Sequence, residues 1–167
     1  PLSAAGRAAI LTWRQPSGWE SAQCLSSPLV RALETARLLG LSPAAEPRLI
    51  EMSWGVWEGQ SLAALRATHG GEMAENERRG LDFRPPGGES PRDVQARLRP
   101  LLAEIAIPTV AVTHKGVLRA LYALASGWDM TGRPAQKLVN GCAQHFRIDA
   151  GGEPRIVALN IPLAAAA

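Results

Sequence analysis

The spacing of apolar residues changes period repeatedly along this chain, and each change marks an element. Ala4 to Trp13 keeps helical spacing behind Ser3, a side chain suited to capping a first turn. Gln15-Pro16-Ser17-Gly18 interrupts it, and Ala22 to Ser26 follows as a short strand. Ser27-Pro28 then predicts a helix start, with a helix running from Pro28 to about Leu39. Its apolar stripe is Val30, Leu33, Ala36 and Leu39, and Gly40 ends it. Pro47 to Glu51 reads as a further strand, and Trp54 to Gly59 as an irregular aromatic turn.

Ser61 to about Arg79 has a polar helical pattern interrupted at Gly70-Gly71, so one or two modest helices are expected there. Phe83 to Gly88, rich in proline and glycine, is a loop. Ser90-Pro91-Arg92-Asp93 repeats the cap-plus-proline start, with Asp93 placed to complement the helix dipole. Val94, Leu98, Leu101, Leu102 and Ile105 carry that helix across Pro100, where a kink is expected. Pro108 closes it. Val110-Ala111-Val112 then predicts a buried strand that delivers His114 to the start of a helix beginning Val117-Leu118-Arg119-Ala120. Gly127 to Gly141 is mostly loop. Ala143 to Asp149 and Arg155 to Asn160, joined through Ala150-Gly151-Gly152, predict a hairpin.

Strands alternating with helices predict an α/β fold: a three-layer α/β/α sandwich with a mainly parallel sheet and an antiparallel hairpin near the C-terminus. Residues 1–163 form one domain in this reading, and 164–167 a tail. A length of 167 residues suits a single domain with a real core. No stretch reaches the eighteen or so apolar residues of a bilayer span, so no membrane partner is expected. Cys24 and Cys142 match no metal or redox spacing and read as small core residues, which favours a reducing, cytoplasmic setting. The net charge is +3, and only Lys115 and Lys137 are lysines. The arginines are scattered and form no block, which argues against nucleic acid as a partner but leaves a phosphate or carboxylate ligand open.

Three residues follow strands in this reading. Arg31 lies in the first turn of a helix, where a cation opposes the dipole by a few tenths of a kcal/mol unless an anion compensates. Glu51 precedes two tryptophans, and a low-dielectric wall of indoles would raise its pKa into the range of a proton donor. His114 follows the strand from Pro108. In open parallel sheets ligands gather at the carboxyl edge, and Arg, Glu and His at that edge suit phosphoryl transfer. Each also has a bland reading: a solvated arginine, a strand-end glutamate, a structural histidine. His69 and His145 read as structural or exposed.

Ser27-Pro28-Leu29-Val30-Arg31-Ala32 with Glu34-Thr35-Ala36 resembles the second arginine motif of the histidine phosphatase superfamily, also called phosphoglycerate mutase-like. Leu49 to Met52 with Gly55 to Gly59 resembles its general-acid segment. Pro86 to Ser90 resembles the loop before its long helix, and Val112 to Val117 its second histidine motif. The resemblance runs in order from residue 1 to about 119. It implies a phosphomonoester hydrolase working through a phosphohistidine, with Arg31 and His114 on the phosphate and Glu51 as general acid and base. Lys115 and Trp54 join the substrate contacts, and a phosphorylated small molecule is the expected substrate. No metal and no cofactor are implied. The family's Arg-His-Gly nucleophile triplet does not occur in the sequence, and Lys115 stands where the family more often has glycine. A preceding segment carrying the nucleophile and a first central strand is therefore expected. A phosphoglycerate-type mutase and a catalytically inactive phosphate-binding or scaffold member remain the alternatives. The modest helices between Glu51 and the Pro86 loop favour the hydrolase over the mutase.

Overall fold

Helices and strands alternate through most of the computed structural model, which describes residues 1–163; the tail expected at 164–167 lies outside them. Helix α1 is Ala4–Leu11, capped by the Ser3 side chain on the Gly6 N–H. Strand β1 is Gln23–Ser26, helix α2 Val30–Leu38 and strand β2 the two residues Ala44–Ala45. Helix α3 is Leu62–Glu77, α4 Pro91–Glu104, strand β3 Thr109–Val112 and helix α5 Lys115–Ser126. Strands β4, Cys142–Ile148, and β5, Pro154–Pro162, complete the described chain.

The parallel sheet has the order β2-β1-β3, and β1 sets its register: Leu25 pairs with Ala44 on one side and Ala111 on the other. Successive strand residues face opposite ways. Leu25 therefore turns toward a core of Val94, Leu98, Leu101 and Leu102 from α4 and Val117 and Ala120 from α5. Helix α2, itself packed on α1, contacts β1 and β3. The α4 start has the expected capping box, with Ser90 and Asp93 each satisfying the other's backbone N–H, and the helix continues across Pro100 to Glu104. β4 and β5 pair antiparallel as a separate sheet.

Several expectations change. The Pro47–Glu51 strand is instead a 3-10 turn, Pro47–Leu49, followed by an extended loop; the strand pairing there falls to β2. Prolines supply no ladder donor, and Glu46 captures the Arg48 N–H before a ladder can form. Helix α2 starts two residues later than expected, and its buried positions are Ala32 and Ala36, while Val30 is 56% exposed. Ser27 therefore does not cap it. Strand β3 is half-buried rather than buried, because only its β1 edge is paired. Facing its other edge is a cavity of about 890 Å³, lined by Val110, Val112 and Leu118 and, across from them, by Ala143, His145 and Phe146 of β4. Cys24 is buried, as expected, but Cys142 is only half-buried; both are free thiols.

The loops 53–55 and 86–88 meet backbone to backbone. A Cβ on Gly55 would lie 2.1 Å from the Pro86 carbonyl oxygen, and Gly55 also takes φ of +52°, so both the contact and the conformation require glycine. The Val56 N–H donates to that same carbonyl at 3.0 Å. Between these loops α3 bends at Gly70 (φ +43°) and inserts only Leu65 and Met73 into a small core with Trp57.

Candidate active site

Pairing of Ser26 with Val112 brings the carboxyl ends of β1 and β3 level, and the Ser27 N–H extends the ladder to the Val112 carbonyl at 2.9 Å. The next residues of each strand then meet. His114 Nε2 lies 2.7 Å from Ser27 Oγ, and both side chains are buried. Burial disfavours the imidazolium, and the Arg31 and Arg97 guanidinium groups add repulsion, so the His114 pKa falls to about 4. The ring is neutral near pH 7. A neutral imidazole carries one N–H, and the tautomer sets whether Nε2 donates to the Ser27 hydroxyl or accepts from it.

Arg31 is the second residue of α2 and is exposed. Its backbone carbonyl accepts from Thr35 Oγ1, but among the described residues its guanidinium has no hydrogen-bonded or salt-bridged partner. No acidic residue occupies the first turn of α2 to offset it. Most arginines of this chain are paired, for instance Arg7 with Glu34 and Arg92 with Asp82. Arg31 instead lies close enough to both His114 and Glu51 to shift their titration.

Glu51 reaches the start of α5. Its Oε1 accepts the Met52 N–H at 2.9 Å and the Gly116 N–H at 3.1 Å. At the α5 N-terminus the Glu51 carboxylate takes the Gly116 N–H, where the helix dipole favours negative charge. Gly116 is required for this contact, since a Cβ there would lie 2.5 Å from Glu51 Oε1. Burial nonetheless dominates and pushes the Glu51 pKa up, against the lowering effect of those N–H groups and of Arg31.

The tryptophans do not form the wall expected around Glu51. Trp54 packs between the two core clusters, edge-on to Phe83 at 5.7 Å, and Trp57 stacks against His69 at 5.5 Å. Met52 and the start of α5 crowd the carboxylate instead. Lys115 is exposed beside His114. His145 is exposed on β4, edge-on to Trp19. Among the described residues no cluster of three or more His, Cys, Asp or Glu side chains could hold a metal ion. None of the described helices is long and apolar enough to cross a membrane.

Sequence reasoning missed four contributors. Ser27 binds His114, and Thr113 Oγ1 donates to the Leu49 carbonyl at 2.7 Å. Glu89 accepts the Ser53 N–H at 3.0 Å, and Arg97 reaches the carbonyls of Arg48 and Ile50. Ser27 and Thr113 directly precede elements already singled out, so a hydroxyl at a strand end was an available signal. Nothing local distinguishes Arg97 from other helix-surface arginines.

The model of the histidine phosphatase superfamily (branch 1) aligns with residues 1–162. The chain belongs to that superfamily. It is 31% identical over 139 residues to a 2,3-bisphosphoglycerate-dependent phosphoglycerate mutase of Azorhizobium caulinodans, covering 75% of this chain and 68% of the mutase. It is 36% identical over 138 residues to a glucosyl-3-phosphoglycerate phosphatase of Mycobacterium tuberculosis, covering 72% of this chain and 59% of the phosphatase. A solved mycobacterial glucosyl-3-phosphoglycerate phosphatase, in complex with inorganic phosphate, superposes with a TM-score of 0.81 at 28% identity, covering 99% of this chain and 89% of that one. Superfamily relatives matched by this chain thus include both phosphatases and mutases.

Proposed function

We propose that this superfamily member is a phosphomonoester hydrolase that works through a phosphohistidine. The observation that carries the reading is the gathering of Arg31, without a bonded partner among the described residues, a neutral buried His114 and a Glu51 carboxyl whose pKa burial raises, at one carboxyl edge of the sheet. Arg31 and the His114 N–H grip the phosphoryl oxygens, with Lys115 and Trp54 flanking the remainder of the substrate. The nucleophilic histidine stands, in this reading, in an Arg-His-Gly triplet on a further strand. The cavity bordered by Val110 and Val112 of β3 and by Ala143 of β4 has room for such a strand.

In the first step the histidine nitrogen forms a bond to phosphorus while the bond to the leaving oxygen breaks, and Glu51 gives that oxygen its proton. In the second, water attacks phosphorus, the Glu51 carboxylate takes the water's proton, and the nitrogen–phosphorus bond breaks to release inorganic phosphate. The steps call for side chains alone, and two free thiols suit a reducing, cytoplasmic compartment.

Glucosyl-3-phosphoglycerate and 3-phosphoglycerate, named by the relatives, are the first phosphorylated small molecules to assay with the full-length protein. Phosphate release with an acid-labile, alkali-stable phosphoenzyme is expected, and Arg31→Ala should raise KM. A phosphoenzyme stable to acid would exclude a phosphohistidine. The mutase reading rests on the Azorhizobium relative. Bisphosphoglycerate-dependent transfer that exceeds hydrolysis would select it over the hydrolase.

A further inference from the structure

Glu51 stands on a segment without a regular ladder, so its backbone groups need other partners. Those partners are unusually concentrated. Arg97 in α4 donates through one terminal nitrogen to the Arg48 carbonyl and through the other to the Ile50 carbonyl at 2.7 Å, on the N-terminal side of Glu51. On the C-terminal side, Glu89 receives the Ser53 N–H at 3.0 Å on Oε2, and its own N–H donates to the Ser53 carbonyl at 2.9 Å. Arg97 and Glu89 also bind each other, Nε to Oε1 at 2.9 Å. Both side chains are mostly buried, 18% and 27% exposed, so the pair is far less exposed to solvent than most ion pairs of this protein.

We propose that Arg97 and Glu89 act as one positioning clamp for Glu51, fixing the loop on both sides so that the carboxyl meets the leaving oxygen. The proposal rests on the reading of Glu51 as the general acid and adds the residues that set its aim. Neither clamp residue touches the reacting atoms. A guanidinium is needed because its planar fork serves two carbonyls and a carboxylate at once, which an ammonium cannot do.

Leaving-group dependence tests this in the full-length enzyme. An alkyl phosphomonoester such as glycerol 3-phosphate expels an alkoxide that needs a proton, whereas p-nitrophenyl phosphate expels a stable anion that does not. Loss of folded protein lowers both rates alike; misdirection of the acid lowers mainly the first. Arg97→Lys, which keeps the positive charge near His114, and Glu89→Gln should each lower kcat/KM, which ends at phosphoenzyme formation and so omits the shared hydrolysis step, on the alkyl ester at least about tenfold more than on the aryl ester. In each variant KM for the alkyl ester should stay near its original value. Glu51→Gln supplies the reference, and adding Arg97→Lys to it should produce little further discrimination. Equal losses on both esters, or no loss, in the Arg97 and Glu89 variants while Glu51→Gln still discriminates would overturn the clamp alone. Lack of discrimination by Glu51→Gln itself would overturn the role of Glu51, and the clamp with it.

Discussion

His114 should make the folded protein sensitive to acid well above the range in which carboxylates protonate. The ring is only 8% exposed, is bonded to Ser27 and feels Arg31 and Arg97, so its pKa drops from 6.5 to about 4 on folding. Below pH 6.5 the unfolded chain takes up a proton that the folded chain refuses. Stability from this group is therefore complete above pH 6.5 and falls as pH is lowered toward 4. The full effect is about 3 kcal/mol, of which about 2 kcal/mol is lost between about pH 7.5 and about pH 5. Asp93, Glu46 and Asp149, held below their ordinary pKa values by hydrogen bonds, lose stability in the same direction but at lower pH. Glu51, held above its ordinary value, acts in the opposite direction.

Comparison of the wild type with His114→Gln in urea, at a series of pH values, cancels those carboxylates. The stability difference between the two proteins should shrink by about 2 kcal/mol from about pH 7.5 to about pH 5. Only three histidines are present, so an NMR titration can follow His114 directly, and its ring protons should not shift near pH 6.5. Identical pH slopes in the two proteins, or a His114 midpoint near 6.5, would refute the reasoning.

Two further outcomes follow from the same corner. Gly116→Ala places a methyl group 2.5 Å from Glu51 Oε1, so the carboxylate must leave the α5 N-terminus. kcat/KM for an alkyl phosphomonoester should fall at least about tenfold, with that for p-nitrophenyl phosphate largely spared; an unchanged ratio of the two between variant and wild type would count against the contact. Ser27→Ala leaves a buried imidazole nitrogen without its partner and should cost about 1–3 kcal/mol in urea unfolding at pH 7.5. An unchanged midpoint would show that the hydrogen bond carries no net stability.

Elements with strong periodicity and local signals were legible in the sequence. Helix α4 has its capping box, its proline at the first position and its buried Val94, Leu98, Leu101 and Leu102 where spacing put them. The β4–β5 hairpin formed around its glycines, at 151 and 152. What escaped was set by partners distant in sequence. Residues 47–51 looked extended and apolar enough for a strand, but their carbonyls are served by Arg97 and Thr113, 47 to 64 positions away. Ser27 looked like a helix cap because Pro28 follows it, yet its hydroxyl turns to a histidine 87 residues downstream. Arg31 and His114 stand at the helix starts read from the sequence, whereas Glu51, read as a strand end, follows a 3-10 turn. That the α5 N-terminus holds Glu51 rather than an outside anion depends on the absent side chain of Gly116, which sequence spacing does not reveal.

The backbone contact at Gly55 and Pro86 has a consequence for how such an enzyme can change. Because the Val56 N–H meets the Pro86 carbonyl, and the Glu89 N–H meets the Ser53 carbonyl, the excursion through α3 leaves and rejoins the body at one closed neck. Only Leu65 and Met73 of α3 are buried, so little of the excursion's composition is dictated by the core. Closing a loop costs only about 0.6 kcal/mol more for each doubling of its length. The rest of α3, Leu62–Glu77, can thus be lengthened, shortened or exchanged while the neck keeps the segment around Ser53 in register. The surface that α3 presents can then vary without disturbing the backbone contacts that hold the Glu51 loop.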